Sequence, residues 1–484
     1  MGWKKVKLVL VVPNYRLTKD AEHMYYAYAP YNLCVLAAMV EDICEVEIID
    51  AYIDNLNESA VESAIRKSSP DIVGITVIMD QMASTGHKIA EISKKIDANI
   101  KTIMGGVYAT MNPMVVAKDH NIDYVCVGEG EYVLRDLIKF LDNDIAGLSI
   151  KGLIYKKNNE IINQGRSDFI ENLDVIPTPA YHLIDFKKYS NKVSRRNSVD
   201  SPRVFPYARL YTSRGCPFGC TFCQVGSISG EKFRYQSVEK VIAEIKMLKE
   251  TYNIKSFIVS DDNFFLNRNR VIKILQTMIE EDLVMPWLSE DTGIMHMDEE
   301  LLELMYRSGC GYVGCAIETG NDRIMNNIIK GKRFSKEHAV NMVSIAKKLG
   351  IYVASNFIIG FPTETWDEIR ETIQFAELLD ADYVRIFSLV PLKNTELWSM
   401  CEKMESFRDG YDHFNLNSSW NTSLIKSPEY SSNDLTILRA FEWDRINFTK
   451  HGKRKKTAKR LGMTEVELNC MRQETRKNIY ASIK

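Results

Sequence analysis

Short apolar runs alternate with helix-length amphipathic stretches through most of this chain, in two series, and that rhythm restricts the fold more than any other feature. The first series holds runs at 6–12, which stops at Pro13, then 46–50, 72–79, 100–104 and 124–127. Helical stretches lie between them at 32–42, 58–68, 85–96 and 113–120. Apolar runs without polar alternation are strands buried on both faces, and helices between them imply a parallel sheet. The second series restarts at 208–212 and continues at 256–260, 287–290, 312–317, 352–359 and 383–390, with helices at 238–252, 268–281, 299–308, 336–349 and 366–379. Gly350 stands where a left-handed C-cap belongs, and Thr365 with Glu368 has capping-box spacing. The fold class is therefore α/β. An N-terminal Rossmann-like, doubly wound parallel sheet precedes a partial (β/α)6 TIM-type barrel and a mainly helical C-terminal region.

At 484 residues the chain is too long for one core, and about two to four domains are expected. The divisions fall at 1–150 for the first sheet, 151–204 for a connector, 205–400 for the barrel and 401–484 for the C-terminal region. The connector carries a hairpin signal around Asn158 and Asn159, then prolines at 177 and 179. Hydrophobic content of 45% and charged content of 26% are ordinary for a globular protein. A net charge of −2 gives no bulk attraction to nucleic acid, so none is expected as a partner. No apolar run reaches transmembrane length, and the N-terminus has neither a signal-peptide core nor a cleavage site. The expected location is cytoplasmic, where thiols stay reduced.

Three cysteines, Cys216, Cys220 and Cys223, follow the first run of the second series at spacing Cys-x3-Cys-x2-Cys. Closely spaced thiolates of this kind hold iron–sulfur clusters. Three of them occupy three corners of a [4Fe-4S] cubane and leave the fourth iron without a protein ligand. The competing reading is structural zinc, which needs four ligands and hence a second Cys or His pair; the sequence has none. The remaining cysteines, at 34, 44, 126, 310, 315, 401 and 470, sit among apolar residues and read as small core hydrophobes.

Other strand ends carry polar or glycine-rich turns. Reactive groups gather at the carboxyl ends of barrel strands, and the cysteine loop occupies the first of these. Ser260-Asp261-Asp262-Asn263 follows the second barrel strand and can hold an ammonium or a ribose, or simply cap the next helix. Glu318 ends the fourth strand, where its carboxylate can accept from two hydroxyls or sit in a buried ion pair. Gly360-Phe-Pro362-Thr-Glu364 ends the fifth. In the first sheet, Thr76-Val77 through Gln81, Gly105-Gly106-Val107-Tyr108 and Gly128-Glu129-Gly130-Glu131 end the third, fourth and fifth strands. Glycines there let backbone amides approach a large ligand, or make tight turns.

The order of these motifs, together with Phe222 before the last cysteine, resembles the radical SAM family, in particular its members with a cobalamin-binding domain ahead of the barrel. The resemblance spans about residues 5–398. It implies that Cys216, Cys220 and Cys223 hold the cluster and that the open iron chelates S-adenosylmethionine (SAM). Phe222, Ser260, Asp261, Asp262, Glu318, Gly360 and Pro362 would then line SAM. Thr76, Val77, Gln81, Gly105, Gly106, Val107, Tyr108, Gly128, Glu129, Gly130 and Glu131 would hold cobalamin. The Asp-x-His-x-x-Gly motif of the best-known cobalamin domains is absent, and His87 reads as a solvated helix residue. A Rossmann-like domain that only packs on its neighbour remains the competing reading.

The resemblance implies reductive cleavage of SAM to a 5′-deoxyadenosyl radical, followed by cobalamin-dependent C-methylation of an unactivated carbon. Radical cyclisation or dehydration without methyl transfer, and a non-catalytic cluster or cobalamin sensor, are the alternatives. It also implies an electron donor of the flavodoxin or ferredoxin type, an oxygen-poor setting, and a small-molecule, lipid or peptide substrate. Two departures stand out. The turn after the sixth strand reads Pro391-Leu-Lys-Asn394-Thr395, with Asn where relatives have Gly. The C-terminal region carries a basic run, 450–460, which reads as a solvated loop or, alternatively, an anion-binding patch. Its aromatics Tyr411, Phe414, Trp420, Tyr430, Phe441 and Trp443 would cover the barrel mouth or form its core.

Overall fold

The computed structural model describes residues 6–17, 28–143, 149–158, 160–190, 198–411 and 422–483. The chain forms two compact units, one up to Ser194 and one from Arg195.

The first unit is built on strands β1 (Lys7–Val12), β2 (Glu45–Asp50), β3 (Ile72–Thr76), β4 (Lys101–Gly105), β5 (Tyr124–Cys126), β6 (Leu153–Lys157) and β7 (Glu160–Asn163). Their order is β2-β1-β3-β4-β5-β6-β7, parallel through β5 and antiparallel beyond. Order reverses between β1 and β3, and a crevice at the carboxyl ends beside such a switch point is where open α/β sheets bind ligands. The hairpin expected in the connector thus belongs to the first sheet. The rest of the connector is anchored there too. Glu129 accepts from the Ile170 backbone N–H at 2.7 Å, and Tyr189 donates its hydroxyl to Asp50 at 2.9 Å. Burial raises the Asp50 carboxyl to about 6. The helix expected at 113–120 is shorter, Pro113–Ala117, and a further short helix, Val107–Met111, precedes it across Asn112.

The second unit begins with β8 (Tyr207–Leu210). A small antiparallel ribbon, β9 (Ser213–Arg214) with β10 (Arg234–Tyr235), brackets the cysteine loop. Then come β11 (Ser256–Val259), β12 (Trp287–Thr292), β13 (Cys310–Glu318), β14 (Tyr352–Ile359) and β15 (Tyr383–Ser388). The six-stranded parallel sheet runs β8-β11-β12-β13-β14-β15 and leaves both end strands unjoined to each other, an open barrel. Gly350 is the left-handed C-cap, and Thr365 and Glu368 form the capping box, as their spacing predicts.

The open edge at β15 is covered by the helix Ser432–Phe448. Exposed strand edges must be paired or covered. Asn447, fully buried, does this as a strand would: it accepts from the Val384 N–H at 2.8 Å and donates to the Val384 carbonyl at 2.7 Å. Trp443 adds an indole N–H to the Tyr383 hydroxyl at 3.0 Å.

The basic run is a helix, His451–Leu461, not a solvated loop. Two of its cations, Lys456 and Arg460, are used on barrel residues. Lys456 pairs with Asp382 at 2.5 Å, and Arg460 lies 5.3 Å from the ring centroids of both Tyr312 and Tyr352 while donating to the Val199 carbonyl. Burial pushes Lys453 down to about 8. Of the C-terminal aromatics, Tyr430 is buried, Tyr411 stacks on Phe407, and Phe441 is exposed; Phe414 and Trp420 lie outside the described residues. No described helix is long and apolar enough to cross a membrane.

Replacing Asn447 with Ala strips both β15 groups of their partner, and unpaired buried polar groups cost about 1–3 kcal/mol each. Asn447→Ala should therefore lower the urea midpoint of the second unit's unfolding. An unchanged midpoint would show that the edge is not closed by this residue.

Candidate active site

The cysteine loop has little regular structure, so its backbone is bonded from outside. Asp261 accepts from the Thr212 N–H, the Thr212 hydroxyl and the Ser213 hydroxyl, each at 2.6 Å. Asp262 accepts from the Gly215 N–H at 2.8 Å. Buried Arg270 donates to the carbonyls of Gln236 and Thr212. The far side rests on a π-helix, Ile324–Ile329, in which the Lys330 N–H reaches the Met325 carbonyl five residues back. Its last carbonyls accept from the Thr221 hydroxyl (Ile328, 2.6 Å) and the Thr221 N–H (Ile329, 3.2 Å). Gly331 then presses on the loop. A Cβ there would lie 2.4 Å from Cys220 Sγ and 2.6 Å from the Phe218 carbonyl. Single π-turns inside helices recur at functional sites.

Two thiols already accept weak hydrogen bonds. Asn263 Nδ2 reaches Cys216 Sγ at 3.6 Å, and the Val225 N–H reaches Cys223 Sγ at 3.5 Å. Burial pushes the Cys220 thiol up to about 11, against the pull of the Lys332 charge, and burial raises Cys223 as well. A metal must therefore displace protons from these thiols, the usual coupling of thiolate ligation to pH. Among the described residues no three His, Cys, Asp or Glu side chains converge as one ion requires. A cubane asks instead for one thiolate on each of three irons. The donor set, the flanking N–H groups on sulfur and the space kept by Gly331 fit such a cluster.

The remaining candidates gather around this loop. Phe222 meets Phe361 edge-on at 6.3 Å, tying the loop to the turn after β14. In that turn Gly360 takes φ +90° and Pro362 is buried. Glu364 accepts from the Gly360 and Phe361 N–H groups at 2.6 and 3.0 Å, and burial pushes its carboxyl up to about 8. Tyr430 donates to the Phe361 carbonyl. Asn394 takes φ +61°, the conformation Gly would supply, and the carbonyls of Lys393 and Asn394 accept from Gln224 and Ser227. Ser260 donates to Glu290, which Arg209 also binds at 2.8 Å. Thus Asp261 and Asp262 are turned toward the cysteine loop, and Ser260 toward an ion pair. Glu318 ends β13 at φ +69° and is paired with Lys332, the ion-pair alternative.

Sequence reasoning missed Gly331, Lys332, His296 and the Arg209–Glu290 pair. None lies in a strand-end motif, and the π-helix has no sequence signature comparable to a capping box. His296 stacks on Phe218 at 5.5 Å, and its buried Nε2 has no hydrogen-bond partner among the described residues.

In the first unit β3, β4 and β5 are parallel neighbours, so the loops after them lie side by side as a ledge at the carboxyl edge of the sheet. Val77, Tyr108 and Glu131 are buried, so the ledge offers backbone and the side chains of Gln81 and Val107, with Ile78 exposed. The glycines serve the chain itself. A Cβ on Gly106 would lie 2.5 Å from the Val77 carbonyl, and one on Gly128 would lie 2.4 Å from Ser167 Oγ. Thr76 accepts from Asn32, and Glu129 caps Ile170. His87 is not simply solvated. It contacts Asp119 at 2.6 Å and the Tyr108 hydroxyl at 3.2 Å, beneath the ledge. A ledge of backbone with Ile78, Gln81 and Val107 beside a topological switch fits the face of a large macrocycle.

Residues 210–376 match the radical SAM superfamily and residues 20–138 match the B12 binding domain. With a relative 35% identical over 398 residues, 82% of this chain and 83% of the other, the chain belongs to the radical SAM superfamily, in the group that carries a B12-binding domain. That relative is an uncharacterized methyltransferase of Pyrococcus horikoshii. An anaerobic magnesium-protoporphyrin IX monomethyl ester cyclase of Rubrivivax gelatinosus is 27% identical over 412 residues, 83% of this chain and 71% of the cyclase. The fold matches that of the cobalamin-dependent SAM radical enzyme OxsB, with a TM-score of 0.75 at 18% identity over 98% of this chain and 72% of that one.

Two outcomes follow. Gly331→Ala must move either Cys220 or the π-helix, and should cut iron and acid-labile sulfide per chain severely after reconstitution while leaving the fold intact. Glu364 has a pH signature. Between its ordinary 4.5 and about 8, the unfolded chain has released the proton that the folded chain keeps. Stability should fall as pH rises through that window, by about 1.4 kcal/mol per unit for one proton. Urea unfolding of Glu364→Gln should lack this component, and identical slopes in both proteins would remove the assignment.

Proposed function

We propose that this enzyme methylates an unactivated carbon, using SAM both as radical source and as methyl source. The observation that carries the reading is the three-thiol loop held open at the carboxyl end of a parallel barrel. Cys216, Cys220 and Cys223 hold a [4Fe-4S] cluster. Glu318 and the barrel mouth at Phe222, Ser260–Asp262, Gly360 and Pro362 shape the SAM site. The ledge formed by Thr76–Gln81, Gly105–Tyr108 and Gly128–Glu131 takes cobalamin. When bound, the cluster supplies the electron that splits SAM into methionine and a 5′-deoxyadenosyl radical, and cobalamin supplies a methyl carrier. The chain orients SAM, holds the three thiols at the barrel mouth and keeps water from the radical. The reductant is of the flavodoxin or ferredoxin class, the location is cytoplasmic, and the acceptor is a small molecule, lipid or peptide. Cyclisation is the second reading, favoured by the relative named as a cyclase.

The test is anaerobic reconstitution with iron, sulfide and cobalamin, then product analysis with SAM and a chemical reductant. About one cobalamin per chain, with both 5′-deoxyadenosine and S-adenosylhomocysteine formed, is expected. 5′-Deoxyadenosine alone favours cyclisation or elimination. Cys220→Ala should form neither product, and product from that variant would overturn the cluster assignment.

A further inference from the structure

Lys332 is paired with Glu318, the carboxylate that the SAM reading assigns to the ribose. It follows the π-helix directly, after Lys330 at φ +66° and the tightly packed Gly331. Its ammonium is bonded to Glu318 and lies 3.3 Å from the Ala316 carbonyl. The two side chains are 13% and 8% exposed. A pair this enclosed gives up much hydration and is by itself weak evidence of stabilisation; its better-attested uses are in register and switching. The backbone points the same way. Glu318 is held at φ +69° without being a glycine, an uncommon conformation that clusters at ligand clamps.

The ammonium is also near the cysteine loop. Its charge acts on Cys220, Cys223 and the ring of His296. A Lys ammonium is a point charge on a four-carbon stem with rotatable donors, able to change partners without moving the backbone. On the carboxylate, one site is wanted by two ligands: the Lys332 ammonium and the hydroxyls of a ribose.

Resting on the SAM reading above, we propose that Lys332 is a partner-switching residue. Without SAM it neutralises Glu318. On binding, the ribose hydroxyls take the Glu318 carboxylate, and the released ammonium pairs with the carboxylate of the methionyl group beside the cysteine loop. No covalent bond changes. One buried ion pair is exchanged for another, so neither carboxylate is left unpaired in the mouth. A ligand with ribose but no carboxylate displaces Lys332 from Glu318 without supplying a second carboxylate, so the exchange selects for the amino-acid end of SAM.

The experiment uses the reconstituted full-length protein and two probes: S-adenosylhomocysteine, which has both ribose and carboxylate, and 5′-deoxyadenosine, which has ribose only. Equilibrium binding is measured for wild type, Lys332→Met and Lys332→Arg, with iron content and thermal unfolding as controls. Lys332→Met should weaken S-adenosylhomocysteine by about tenfold or more, the scale of one lost charge-assisted contact. It should leave 5′-deoxyadenosine unchanged or tighter, because its competitor is gone. Lys332→Arg should recover most of the S-adenosylhomocysteine affinity. Equal loss of both probes, or loss of neither, overturns the switch. Failure of wild type to bind either probe would instead overturn the SAM reading itself.

Discussion

A loop that carries three thiols has to be rigid without being a helix or a strand, and the second unit is arranged around that requirement. Backbone groups buried without partners cost more than most contacts repay. Here the partners come from elements far along the chain. Asp261 and Asp262 hold one flank of the loop, the π-helix carbonyls hold the other, and Arg270 braces Thr212 from beneath. The segment after β15 closes the remaining side through Gln224 and Ser227. The acidic pair after β11 thus fixes the cysteine loop through four hydrogen bonds.

What was legible in the sequence was whatever repeats locally. Buried parallel strands are largely apolar, so every parallel strand of both sheets could be read, with shifts of a few residues at their ends, whereas the antiparallel β6 and β7 read as part of the connector. The cysteine spacing is local, and so are the cap at Gly350 and the box at Thr365. What was not legible needs distant partners. The 450–460 run has no apolar stripe and reads as loop, because its stems and charges are spent on Tyr312, Tyr352 and Asp382 instead of on a hydrophobic face. Long cationic side chains cover apolar surface while their heads find partners. Strand-end glycines were read as room for a ligand, yet Gly106 and Gly128 first make room for Val77 and Ser167. His87 looked solvated because Asp119 and Tyr108 come from later elements.

The C-terminal region has a structural task that its composition hides. An open parallel barrel exposes a row of backbone groups at each end strand. At β15 the amide of Asn447 stands in for a seventh strand, and the basic helix ties Asp382, which itself accepts from the Val353 N–H, to the rest of the region. Tyr430 reaches further, to the turn that also carries Gly360 and Glu364. Changes of sequence there are thus coupled to the geometry of the mouth, through covered edges and buried hydrogen bonds.

The π-helix carries a consequence for how this mouth tolerates insertion and deletion. Each residue of an α-helix turns the chain by about 100°. The wider turn between Met325 and Lys330 holds one residue more than an α-helical turn would. Removing a residue there would shorten the chain trivially but rotate all that follows by more than a quarter-turn. Gly331 would leave Cys220, and the ammonium next to it would face another direction. In this stretch the count of residues, more than their identity, sets which side chains meet the cluster loop.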